Sequence, residues 1–151
     1  QLDYIQLHGD EPPDRLMDLS RRRVIRAFRC QAGDFDPILD YLAACRQLGF
    51  PPAAALVDAY DPGRYGGTGK KVNWFDVRRL GTLVGGLPLV LAGGLTPANV
   101  RAAVEQARPH AVDVASGVES SPGRKDPSAV RNFVRAARQA LEEIQSRRSG
   151  D

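Results

Sequence analysis

Short apolar runs alternate with polar, helix-compatible stretches along the whole chain, and this alternation limits the possible folds more than composition does. The runs are "LDYIQLHG" (2–9), "VIRAFRC" (24–30), "AAALVDA" (53–59), "PLVLAGGL" (88–95) and "AVDVASGVE" (111–119). Each is short, and several are dense in Val, Leu and Ile, as strands of a parallel sheet should be. Between them lie the helical patterns "PDRLMDLSRR", "DPILDYLAACRQLG", "NWFDVRRLGTLVGG" and "TPANVRAAVEQARP", with "DPSAVRNFVRAARQALEEIQSRR" last. Asp36, Thr96 and Asp126 each precede a proline, which matches an N-cap followed by proline in the first turn. Gly49 and Gly86 read as helix stops.

Strict alternation of strand and helix implies right-handed crossovers and a parallel sheet. Two architectures remain, a doubly wound sheet and a (β/α)8 barrel. The side-chain alternation separates them. Ile5 and Leu7 share one face of the first run, while Tyr4, Gln6 and His8 share the other. Leu56 and Asp58 share a face of the third, and Asp113 points opposite to Val112 and Val114. Polar residues at the C-terminal ends of parallel strands suit a barrel mouth. In an open sheet with helices on both faces they would be buried at a cost. The expectation is an α/β protein: a (β/α)8 TIM barrel of which this chain supplies about five βα units, as a single domain over 1–151. The chain opens directly on a strand without an initiator methionine, so the barrel is expected to be incomplete at its N-terminus.

Composition excludes several function classes. Hydrophobic content of 42% and charged content of 26% are ordinary for a globular protein, and the net charge is only +3. Basic groups such as "RRR" at 21–23 and "RR" at 147–148 read as solvated helix faces or ends rather than a nucleic-acid surface. With no signal peptide and no long apolar run, a soluble, cytoplasmic protein without membrane association is expected. Cys30 and Cys45 make neither a metal-ligand spacing nor a disulfide framework, and both read as structural.

The chemistry-bearing residues cluster in the loops after the strands. "LAGGLTPANV" and "VASGVESSPGRKDP" are the last two strand-to-helix loops, built of small residues whose amides can approach an anion closely. Gly93, Gly94, Ser116 and Gly117 are therefore candidate phosphate ligands; alternatively, these glycines only permit tight turns. Asp58 ends its strand as a candidate general acid or base, or as a loop-capping carboxylate. Asp113 is a similar candidate, or a buried partner of a neighbouring amide or basic side chain; His8 could polarise or bind substrate or be structural, and Gln6, Arg26 and Arg29 carry weaker positional hints. "GTGKK" is not a nucleotide-binding P-loop, because Lys71 stands where Ser or Thr is required.

The chain resembles the phosphoribosylanthranilate isomerase family, (β/α)8 enzymes of tryptophan biosynthesis. The matching stretches are "IQLHGDE", "VIRAF", "LVDAYDPGRYGGTGKKVNW", "PLVLAGGLTPANV" and "AVDVASGVESSPGRKDPSAVRNF". They run in family order, so the five runs align with the fourth to eighth strands. The resemblance implies an Amadori rearrangement of N-(5′-phosphoribosyl)anthranilate that needs no metal or organic cofactor. Under it Asp58 is the general acid, Asp113, His8 and Gln6 bind substrate, and the glycine loops hold the phosphate. Gly66, Gly67, Thr68 and Gly69 belong to a flexible lid. The family's general base is a cysteine in a Lys-x-Cys-Gly context on its first strand, and this sequence has no such motif. The implied chain is a C-terminal portion, inactive alone, whose partner is a small phosphosugar together with a second copy or the missing N-terminal segment. Indole-glycerol-phosphate synthase would need a lysine acid–base pair and ribulose-phosphate epimerase a metal-binding His/Asp set, and neither is found. A non-catalytic phosphosugar-binding half-barrel is the remaining alternative.

Overall fold

The computed structural model of the chain describes residues 2–19, 21–29, 34–58 and 74–149. The principal sheet holds β1 (Tyr4–Leu7), β2 (Arg23–Arg29), β3 (Ala54–Asp58), β4 (Leu89–Ala92) and β5 (Ala111–Val112). All four neighbouring pairs are parallel, and the spatial order β1-β2-β3-β4-β5 is the chain order. Helices α1 (Arg15–Asp18), α2 (Asp36–Gln47), α3 (Trp74–Leu83) and α4 (Val100–Ala107) make the crossovers, and α5 (Pro127–Ser149) follows the last strand. Among the described residues no helix is long and apolar enough to cross a membrane.

Winding decides the architecture. When every crossover joins adjacent strands with the same hand, every helix lands on the same face of the sheet. The main core shows this: Phe28, Val57 and Leu91 from the strands pack with Leu42 of α2, Leu80 of α3, Val104 of α4 and Ala140 of α5. The helices contribute by their periodicity. In α4 the buried residues are Val100, Ala103, Val104 and Ala107, the single apolar stripe of a surface helix. A smaller cluster of Leu16, Val24 and Cys45 lies beneath α1.

The opposite face carries Ala27, Leu56 and Ala92, packed with Ile25 and Val90. These three are 3%, 2% and 6% exposed, although the cluster they form draws only on β2, β3 and β4. A flat sheet would leave them open, so the sheet curls toward this face, as twisted strands in a singly wound array do. The described helices all pack on one face, so this is a singly wound parallel α/β sheet and not a doubly wound one.

Several local expectations need correction. Asp36 does not cap α2. Phe35 takes the N-cap position because its ring is buried in the core, and its carbonyl accepts from Ile38 and Leu39 N–H at 3.0 Å. Asp36 becomes a first-turn acid, where it complements the helix dipole. Thr96 does not cap α4 either. Its carbonyl accepts from Asn99 N–H (3.2 Å) and Val100 N–H (3.0 Å), so Thr96–Asn99 forms a turn and the helix begins at Val100. The last strand stops at Val112 rather than 119; a 3₁₀ turn over Ser116–Val118 and an antiparallel hairpin, β6 (Glu119–Ser121) with β7 (Arg124–Lys125), fill the rest. Gly49, at φ +81°, terminates α2 as expected, and Gly86 at φ +83° follows α3.

Asp126 does cap α5. One carboxylate oxygen accepts from Ser128 N–H (2.7 Å), Ser128 Oγ–H (2.6 Å) and Ala129 N–H (3.2 Å). The Ser128 hydroxyl first, then the two amides, hold this carboxyl below its ordinary pKa. A depressed folded-state pKa stabilises above the unfolded pKa, and that stabilisation disappears as pH falls through the folded value. The difference between wild type and Asp126→Ala in urea denaturation should therefore be widest near neutrality and close in acid. A gap independent of pH would show that the ionised cap is not its source.

Candidate active site

Parallel strands in register place all their C-terminal ends on one edge, and a cleft of about 440 Å3 opens there. Gln6 and His8 enter it from the end of β1, Asp58 from the end of β3 and Asp113 from just beyond β5. Leu56 and Ala92 line it below. The alternation that sends Leu7 toward α1 sends Gln6 and His8 into the cleft, and the same holds for Asp58 against Val57. All four polar side chains are exposed there. Asp113 is anchored through its backbone, whose N–H donates to Leu91 carbonyl at 2.9 Å. Arg29, also exposed, lies in register beside Asp58 but does not line the cleft.

Gly93, Gly94, Ser116 and Gly117 line the same cleft. Gly93 (φ 89°) and Gly94 (φ 62°) are left-handed, which a side chain would strain. Gly117 is required for a different reason: a Cβ there would sit 1.7 Å from Leu95 carbonyl oxygen. The two glycine loops are thus in direct backbone contact. Ser116 opens the 3₁₀ turn, and the first N–H groups of such a turn have no acceptor inside it. Small residues on both loops, with the opening amides of the 3₁₀ turn on the second, make the geometry suitable for an oxyanion.

Four supporting residues carried no role in the sequence reading. Asn99 braces the first loop, its amide donating to Gly94 carbonyl (3.0 Å) while its oxygen accepts from Thr96 N–H (2.7 Å). Lys125 and Glu119 flank the second loop. Arg26, noted only for its position, is buried at 6% exposure on the helix-facing side of β2. Its guanidinium donates to the carbonyls of Leu7 (3.2 Å) and Gly9 (2.8 Å), the neighbours of His8, and to Ala27 carbonyl (3.0 Å). Glu11 completes the arrangement, 3.3 Å from Arg26 and accepting from Gly9 N–H. Phe28 and Tyr41 present their rings to the guanidinium at 5.4 and 5.0 Å. An arginine at the centre of β2, flanked by Val24, Ile25, Ala27 and Phe28, was the available signal.

Burial pushes the Tyr41 hydroxyl and the Cys45 thiol up from their ordinary pKa values, with Arg26 opposing both. Cys45 is buried in the small core and is structural, as expected. Cys30 and the lid residues Gly66, Gly67, Thr68 and Gly69 lie outside the described residues. Among the described residues no three His, Cys, Asp or Glu side chains group as a metal site.

The model of the N-(5′phosphoribosyl)anthranilate (PRA) isomerase family matches residues 1–136. The chain belongs to this family. It is 52% identical over 139 residues to the N-(5′-phosphoribosyl)anthranilate isomerase of Geobacter sulfurreducens, covering 91% of this chain and 62% of that protein. The crystal structure of phosphoribosyl anthranilate isomerase from Thermotoga maritima superposes with a TM-score of 0.71 at 36% identity, over 91% of this chain and 62% of that one. A structure of the enzyme in complex with reduced 1-(o-carboxyphenylamino)-1-deoxyribulose 5-phosphate gives 0.71 at 33% identity, over 91% and 60%. The chain thus spans less than two thirds of the length of these isomerases.

The contact between Gly117 and Leu95 makes a direct prediction for this family member. Gly117→Ala must push the loops apart, at a cost of about 1–3 kcal/mol typical of overpacking. Chemical denaturation should show that loss, whereas Ser116→Ala, at an exposed position, should leave stability nearly unchanged.

Proposed function

We propose that this chain carries the acid and phosphate side of a phosphoribosylanthranilate isomerase active site. The observation that supports it best is the convergence of Asp58, Asp113 and both glycine loops in one cleft of a chain belonging to that family. In this reading the 5′-phosphate of N-(5′-phosphoribosyl)anthranilate sits on the amides of Gly93, Gly94, Ser116 and Gly117. The sugar then extends across the cleft toward β3, within reach of Asp58.

The reaction consists of proton transfers. Asp58, protonated in the productive complex, gives its proton to the ribose ring oxygen as the C1–O bond breaks, leaving a Schiff base between C1 and the anthranilate nitrogen. A base removes the C2 proton, and the electron pair moves to neutralise the Schiff base, giving an enolamine. Tautomerisation to the C2 ketone yields 1-(2-carboxyphenylamino)-1-deoxyribulose 5-phosphate. Asp113, His8 and Gln6 hold the sugar hydroxyls and keep C2 oriented for the base.

The base is the part this chain does not supply in our reading. The family's cysteine, in its Lys-x-Cys-Gly context, has no counterpart in the sequence; Cys45 is fully buried and faces the small core. The chain is read as a partial barrel, with the base on further βα units. Alone, it binds a phosphosugar without converting it; joined to units that bear the base, it isomerises.

Two measurements test this. In a protein that joins this chain to base-bearing units, Asp58→Asn should lower kcat by about 10²–10⁴-fold while inorganic phosphate affinity is retained. An unchanged kcat would remove Asp58 from the chemistry. The 151-residue chain, its mass verified, should be stabilised by the phosphosugar product yet form none from substrate. Turnover by that chain would instead require a base within it, and Cys30 and His8 would be the first to substitute.

A further inference from the structure

After Val118 the chain does not run straight into α5. It makes the β6–β7 hairpin and returns to Asp126, whose N–H donates to Val118 carbonyl at 2.8 Å. The hairpin is short and mostly exposed, and it contributes no residue to any of the three apolar clusters. Its polar contacts converge on one point. Lys125 Nζ donates to Ala115 carbonyl at 2.8 Å and to Glu119 Oε1 at 2.6 Å. The other Glu119 oxygen accepts from Gly123 N–H at 3.2 Å, in the hairpin turn where Gly123 holds φ +76°.

Ala115 immediately precedes Ser116 and Gly117. Its carbonyl is therefore fixed by an ammonium that is itself fixed by a carboxylate, and that carboxylate is tied to the turn. An exposed ion pair by itself contributes little. Here, however, the Glu119 side chain is only 16% exposed, and Lys125 spends a second hydrogen bond on the loop backbone. The pair's geometry is directed at the loop and not at stability.

We infer that Glu119 and Lys125 are positioning residues for phosphate recognition, which set the direction of the Ser116 and Gly117 amides by holding Ala115 carbonyl. Neither lines the cleft. The inference rests on the reading that the two glycine loops take a phosphate. It differs from simple attraction between Lys125 and the anion in the sign of one effect. Glu119→Gln removes a negative charge near an anion site, so long-range electrostatics alone would strengthen phosphate binding. Loss of the clamp would weaken it, because a neutral amide holds Lys125 less firmly.

The experiment is a titration of the 151-residue chain with inorganic phosphate, followed by amide NMR at Gly93, Gly94, Ser116 and Gly117. Glu119→Gln and Lys125→Met should each weaken binding by about tenfold, the effect expected from a charge-assisted hydrogen bond. The double variant should be no weaker than Lys125→Met, since both act through one contact, and Lys125→Arg should restore part of the affinity. Arg101→Met removes the same unit charge from an exposed pair with Glu143 on α4 and α5 and should change affinity by less than about twofold. Melting temperatures without phosphate should be nearly the same throughout, as befits a positioning role.

Tighter or unchanged binding by Glu119→Gln, with the wild-type response intact at the four amides, would overturn the clamp alone. An additive loss in the double variant would assign Lys125 a direct contact with phosphate and would also overturn it. Absence of any wild-type response at those amides would overturn the phosphate site and the clamp together.

Discussion

Each crossover carries the backbone from the end of one strand to the start of its immediate neighbour, always past the same face. The rest of the molecule follows from that constraint. The helix-bearing face must be filled with large apolar side chains, and Val57, Leu91, Leu42, Leu80 and Val104 fill it. Among the described residues the other face receives no helix, and its apolar cluster draws only on β2, β3 and β4. Small residues suit that space, and Ala27 and Ala92 flank Leu56 there. Beyond this strip the face opens at the C-terminal edge, where polar side chains are solvated without cost. Asp58, Asp113, His8 and Gln6 stand where an uncovered face allows them.

The cleft has two kinds of residue. Those facing it are short and chemically simple, and those behind it are longer and engaged with backbone. Asn99 fixes the first glycine loop, Lys125 the second, and Arg26 the turn that presents His8. The contact between Gly117 and Leu95 carbonyl links the two loops without any side chain. In the proposed phosphate site, recognition by amides would depend on where the peptide planes point, and these braces are what set that direction.

The pattern of the sequence reveals features that repeat and hides those that are particular. Alternating runs gave the parallel sheet, and the parity of Leu56 with Asp58 gave the face, because period and parity are properties of the backbone. The glycine loops were legible for a related reason: few residues tolerate positive φ, so glycine marks the place. Local signals failed where tertiary contacts outweighed them. Asp36 followed by proline has the form of a cap, yet burial of Phe35 moved the helix start back by one residue. "TPAN" also has that form, but the Asn99 side chain was committed to Gly94 and Thr96. The hairpin over 119–125 was hidden inside what reads as strand and loop, since nothing local announces that Lys125 will reach back to Ala115. Arg26 was similarly obscured, because its partners are carbonyls, and carbonyls leave no trace in a sequence.

The Arg26 contacts also bear on the order in which the molecule assembles. The turn after β1 is shaped by a guanidinium seventeen and nineteen residues further along the chain, through Gly9 and Leu7 carbonyls. Pairing of β1 cannot by itself give that turn its final form; β2 must dock and carry Arg26 beneath it. Tyr41 of α2, whose ring covers the guanidinium, must follow. The rim that bears His8 therefore becomes rigid only after two elements that follow it in the chain have been made and have docked.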